Sequence, residues 1–152
     1  FARIPINSPI EATHNPSGHS VMQRLEFWKT SRAIIKENWL TGVGTGDLGS
    51  AFKEEYEKNG SLLYNEFRWR SHNQFLTIFA SFGIFGFAWF IFSLIYPAAR
   101  LGKFHDFYYL SFFIIIILSI LTADTLETQA GVTPFAFFTS FYLFAKKFID
   151  IV

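Results

Sequence analysis

The chain has 152 residues and no cysteine, which excludes disulfides and thiolate metal sites. Its 21 phenylalanines and mean hydropathy of +0.26 exclude an average soluble domain and fit a membrane protein. A net charge of +1 hides an uneven distribution, because residues 1–74 hold nine of the 13 Lys/Arg and eight of the 12 Asp/Glu. The chain divides into a polar half and an apolar half.

In chain order, Phe1 to Gly18 is rich in Pro, Asn and Ser and reads as irregular. A helix is predicted to start at Ser20, where Ser20 and Gln23 form a capping-box pattern. Val21, Leu25, Trp28, Ile35 and Trp39 follow as its apolar stripe, and Gly42 ends it. The segment GVGTGDLGS then places Gly44, Gly46 and Gly49 in the spacing GxGxxG. A dinucleotide loop with that spacing needs a buried strand before it, and here a helix precedes. A tight turn opening a short helix, Ser50 to Lys58, closed by Asn59-Gly60, is the better account.

Next comes RWRSHN, which carries Arg68, Arg70, His72 and Asn73, and directly after it the chain turns apolar. Phe75 to Tyr96 is 22 residues without Asp, Glu, Lys, Arg or His, and about 20 apolar residues suffice to cross a bilayer core. Phe107 to Ala123 is a second such run, of 17 residues. Val132 to Ala145 is a third, of 14, extendable through Lys146 and Lys147 to about residue 149. A run that short also suits a buried or re-entrant segment. The expected architecture is all-α: a helical loop region, residues 1–74, and a membrane region, residues 75–152, with helices at about 75–96, 107–123 and 132–149. With no initial Met and no signal-peptide pattern, the chain reads as the C-terminal piece of a longer polytopic protein.

Positive charge in short loops sets orientation. Arg100 and Lys103 mark the first link as cytoplasmic, and Lys146 and Lys147 mark the C-terminal end likewise. The link from Asp124 to Gly131 has two acids and no Lys or Arg, so it belongs outside. The polar half, with His72 at its end, is then extracytoplasmic.

Basic residues at a membrane edge can simply snorkel and bind lipid phosphates, and Trp69 suits an interfacial aromatic belt. Against this, the cluster lies on the side that the usual charge bias disfavours, and it includes a histidine. Imidazole is the side chain best matched to proton transfer near neutral pH. Guanidinium groups grip phosphate oxygens bidentately, so a base among arginines at a membrane surface suits a reaction on a lipid-linked phosphate ester. Arg24, one turn before Trp28, is a second candidate, with a solvated helix charge as the plainer account. His14, His19 and His105 form no ligand spacing with His72, so no metal is expected. Asp124 and Glu127, three apart, read as a hydrated loop pair or a helix N-terminal charge.

The order of RLEFWKTSRAIIKENW, GVGTGD, a short helix, and HNQFL running into an apolar helix with FGIFGF resembles the C-terminal part of the O-antigen ligase and O-antigen polymerase superfamily, over about residues 20 to 149. The resemblance implies a bacterial inner-membrane glycosyltransferase with residues 1–74 periplasmic. It would move a glycan from undecaprenyl diphosphate to an acceptor hydroxyl, with inversion and without metal or cofactor. The first acceptor to consider is the lipid A core; a growing polysaccharide or a protein are the alternatives within the superfamily. The family's essential histidine falls on His72 and its loop arginine on Arg24, while Arg68 and Arg70 match no family position and are expected, with Asn73, to help bind substrate on the electrostatic argument alone. Glycan, acceptor and membrane lipids are the expected partners, and nucleic acid is not. A transporter or scaffold whose basic edge binds lipid headgroups is the alternative of another class.

Overall fold

The computed structural model describes Ser17 and residues 20–144. It comprises α1 (Ser20–Glu37), α2 (Leu48–Lys58), α3 (Gln74–Arg100), α4 (Phe107–Thr122) and α5 (Gln129–Phe144), with 3-10 turns at Asn65–Phe67, Lys103–His105 and Thr125–Glu127. No strand occurs among the described residues, so the chain is all-α there and GxGxxG lacks the strand a dinucleotide loop requires. The irregular segment 1–18 apart from Ser17, His14, His19, and the extension of the third apolar run through Lys146 and Lys147 lie outside the described residues.

The buried face of α1 differs from the expected stripe. Phe27, Thr30, Ser31 and Ile34 are buried, at spacings of three, four and seven. Val21, Leu25 and Trp39 are exposed instead. The reason lies in two small polar residues that a count of apolar positions discards. The Ser31 hydroxyl donates to the Phe27 carbonyl within its own helix, which lets it pack as an apolar group. Thr30 and Ser31 thus admit α2 and α3 to close range, around a core of Phe27, Ile34, Leu48, Phe52, Tyr56, Leu63 and Ala80. Gln23 does not complete a capping box with Ser20; its amide donates to the Ser17 carbonyl. The closing turn of α2 is as expected, with Asn59 at the cap and Gly60 at φ +58°.

Among the described helices α3 is the one long and apolar enough to cross a membrane, where three spans were expected. α4 is apolar but has 16 residues, short of the roughly 20 that a bilayer core requires, and α5 is described over 16. α3 itself is not continuous. Gly83, at φ +63° and ψ −163°, breaks it into two helical arms. The rings of Phe75 and Phe90 lie 5.9 Å apart, whereas a straight helix would separate those residues by about 22 Å. Phe79 stacks on Phe87 in the same fold-back.

A break inside an apolar segment frees backbone groups that must find partners within the protein. The loop after α1 supplies them. Val43 N–H donates to the Ala80 carbonyl, Gly44 N–H donates to that of Ser81, and Ile84 N–H donates to that of Trp39, each at 2.9 Å. Two glycines make this contact possible: a Cβ on Gly42 would stand 2.3 Å from the Ser81 oxygen, and one on Gly83 2.3 Å from that of Leu40.

Farther along, the second arm of α3 packs with α4 and α5 through Ala98, Tyr109 and Leu143. At the start of the first arm, Asn73 is the N-cap, its side-chain oxygen accepting from the N–H groups of Phe75 and Leu76. Asn73→Ala is expected to cost about 1 kcal/mol, read as a lower melting temperature of the detergent-solubilised protein, while Asn73→Ser keeps most of it.

Candidate functional site

The site is built where RWRSHN meets the turn between α4 and α5. That turn docks on the first arm of α3: the Leu126 N–H donates to the Gln74 side-chain oxygen at 3.0 Å, and the Thr77 hydroxyl donates to Asp124 at 2.7 Å. The Ser71 hydroxyl, fully buried, is hydrogen-bonded to the Thr77 hydroxyl. Residues 71–77 and 124–127 therefore meet at one end of α4.

Between them lies a cavity of about 900 Å³, whose walls include Lys53, Trp69, Arg70, His72, Asp124 and Glu127. His72 stands at its rim in the left-handed region, φ +47°, an uncommon conformation for a residue with a side chain. Its ring contacts those of Phe27, 5.7 Å away, and Trp69, 6.1 Å away. Strain of this kind persists only where the surroundings over-determine it, and here they do. On one side the Asn73 cap fixes the start of α3. On the other, the buried Tyr56 hydroxyl donates to the Trp69 carbonyl at 2.7 Å. Burial pushes the Tyr56 phenol well above its ordinary range, so it remains a donor.

The expected site residues separate under this geometry. Arg70 and His72 line the cavity together, and Arg70 pairs with Glu127 at 3.1 Å. Gln74 donates to the other oxygen of Glu127 at 3.4 Å, so the carboxylate bridges Arg70 to the first turn of α3. Arg68 also borders the cavity, but its guanidinium donates to the carbonyls of Leu63 and Ser61 and lies over the Tyr56 ring. It ties the 61–63 segment to the core. Asn73, expected as a substrate contact, is buried and committed to its cap. Arg24 is exposed on α1, does not border the cavity, and sits one turn before Phe27, which touches His72.

Sequence reasoning left out Lys53, a lysine of α2 with nothing in its neighbourhood to single it out. Asp124 and Glu127, which could meet the His72 region from their outward loop but read first as a hydrated pair or a helix N-terminal charge, are hydrogen-bonded into the site. His105 lies on the turn before α4, beyond the cavity. Among the described residues no three His, Asp or Glu side chains gather closely enough to hold a metal ion.

Neither the curated proteins nor the solved structures give a match to this chain. A protein-family model described as O-Antigen ligase, Wzy_C, matches residues 3–91, more than half of the chain, and takes in α1, the glycine loop, α2, His72 and the break in α3. With that match over more than half of its residues, the chain belongs to the O-antigen ligase family.

Proposed function

We propose that this chain is part of a bacterial inner-membrane glycosyltransferase that moves a glycan from undecaprenyl diphosphate to an acceptor hydroxyl, with ligation to the lipid A core as the first reading. The observation that carries it is a histidine held in a strained conformation on the wall of a cavity with cationic Arg70 and Lys53, at the lip of an apolar helix. His72 takes the proton of the acceptor hydroxyl as its oxygen forms a bond to the anomeric carbon. The bond from that carbon to the diphosphate oxygen breaks, and the electron pair leaves with the phosphate. Attack opposite the leaving group inverts the anomeric centre. The diphosphate needs no further activation, so charge stabilisation and proton removal are sufficient without a metal or cofactor. Arg70 meets the phosphate charge inside the cavity, and Arg24, exposed on α1 outside it, is kept for donor charge that extends beyond the cavity. The polyprenyl tail lies in lipid beside the apolar helices, with residues 1–74 periplasmic.

The acceptor is decided by deletion of the gene and chemical analysis of the surface glycans. The expected result is loss of polymer from lipid A while lipid-linked polymer accumulates. Accumulation of single repeat units would instead assign a polymerase, and unglycosylated proteins a protein O-oligosaccharyltransferase. Unchanged glycans throughout would leave the transporter or scaffold reading in place.

A further inference from the structure

We propose that Trp69 is a stacking platform for a pyranose ring, so that one sugar of the transferred glycan or of its acceptor is seated on the indole face beside His72. This rests on the reading of the cavity as a glycosyl-transfer site. Trp69 is 57 % exposed and borders the cavity, yet it is held at two points. Its indole N–H donates to the Glu66 carbonyl at 2.9 Å, and its own carbonyl accepts from the buried Tyr56 hydroxyl at 2.7 Å. A tryptophan serving as an interfacial anchor keeps its N–H for the polar headgroup layer. Here the N–H is already bonded to backbone, and what the ring offers is its face.

A pyranose has the matching chemistry. Its axial C–H groups form an apolar surface that covers an aromatic face, and its hydroxyls project around the rim as donors and acceptors. The cavity provides for both, with the indole as the apolar surface and the carboxylates of Asp124 and Glu127 as acceptors for hydroxyls. The ring of His72 is 6.1 Å from that of Trp69, so a sugar on the indole has its hydroxyls or anomeric carbon near the imidazole. Because the ring is fixed before substrate arrives, stacking carries little ordering cost.

The experiment compares wild type, Trp69→Phe, Trp69→Leu and His72→Ala as full-length proteins in proteoliposomes, with a polyprenyl-diphosphate glycan donor and its acceptor. Trp69→Leu keeps an apolar side chain for membrane contact but removes the aromatic face, and is expected to raise KM for one of the two glycans about tenfold, with Trp69→Phe recovering much of the loss. A Trp69→Leu protein with wild-type KM for both overturns the proposal, as does a Phe variant no better than Leu. Hydroxyl-radical footprinting of the wild type needs no variant: glycan binding is expected to protect the Trp69 indole from oxidation, and unchanged oxidation of Trp69 at saturating glycan overturns the proposal. The His72→Ala arm separates the two readings, since an active His72→Ala enzyme removes the transfer site itself, whereas an inactive one beside an unaffected Trp69→Leu removes only the stacking platform.

Discussion

Gly83→Ala is expected to abolish the native arrangement of the apolar helices, and Gly42→Ala to do nearly the same. Gly83 has φ +63° and ψ −163°, a region open essentially to glycine alone, so any side chain there adds strain of about 1–3 kcal/mol. The added methyl would also stand 2.3 Å from the Leu40 oxygen, which belongs to backbone and cannot swing aside. Moving the two segments apart breaks three backbone hydrogen bonds, those of Val43 to Ala80, Gly44 to Ser81 and Ile84 to Trp39. Each buried group left without a partner costs about 1–3 kcal/mol. Strain and lost bonds together reach on the order of 5 kcal/mol or more, comparable with the whole stability of a typical domain. The expected outcome is protein that aggregates on detergent extraction and is cut rapidly by protease. Gly46→Ala serves as control, because a Cβ there meets no atom within 4 Å. A Gly83→Ala protein that is extracted and resists protease like the Gly46→Ala control would show that the apolar run is a continuous helix after all.

That break marks the limit of what the sequence discloses. Hydropathy located the apolar run after Asn73 to within a few residues, because bilayer solvation depends on composition. Helix direction depends on where backbone groups find partners. The partners of Ala80, Ser81 and Ile84 lie about 40 residues upstream, at Trp39 and in a glycine loop that was read only as a turn opening the next helix. The same distinction runs through the site. Asn59-Gly60 marks the end of α2 by local turn chemistry and was legible, whereas the helix begins at Leu48, ahead of the expected Ser50. The Arg70 to Glu127 pair joins positions 57 apart, and neither residue carries a local sign of the other. On α1 the error had a different origin: Thr30 and Ser31 are buried because they are small, a property that hydrophobic periodicity does not score. Arg68 shows the converse. Its place in a basic cluster suggested a substrate contact, and the carbonyls of Ser61 and Leu63 hold it as a structural tie.

His72→Ala is expected to reduce glycan transfer by about 10²–10⁴-fold with the protein still inserted and folded, the factor that a positioned general base contributes. The substitution also alters backbone strain, since alanine is poorer than histidine at φ +47°. His72→Asn separates the two effects, because asparagine tolerates the left-handed region yet has no side chain able to accept the proton. His72→Gly goes further, releasing the strain altogether and leaving a space beside Phe27 and Trp69 that imidazole from solution can enter. If the ring works as a base, His72→Asn and His72→Gly are both as inactive as His72→Ala, and added imidazole restores part of the rate to His72→Gly alone. If it serves only to fix the bend between Ser71 and Asn73, His72→Gly and His72→Asn keep their activity, and the catalytic assignment falls. The measurement is transfer rate in proteoliposomes at saturating donor, with the melting temperature of each variant recorded beside it. A low rate with an unchanged melting temperature places the loss in the chemistry, and a rate that falls only where the melting temperature falls places it in the fold.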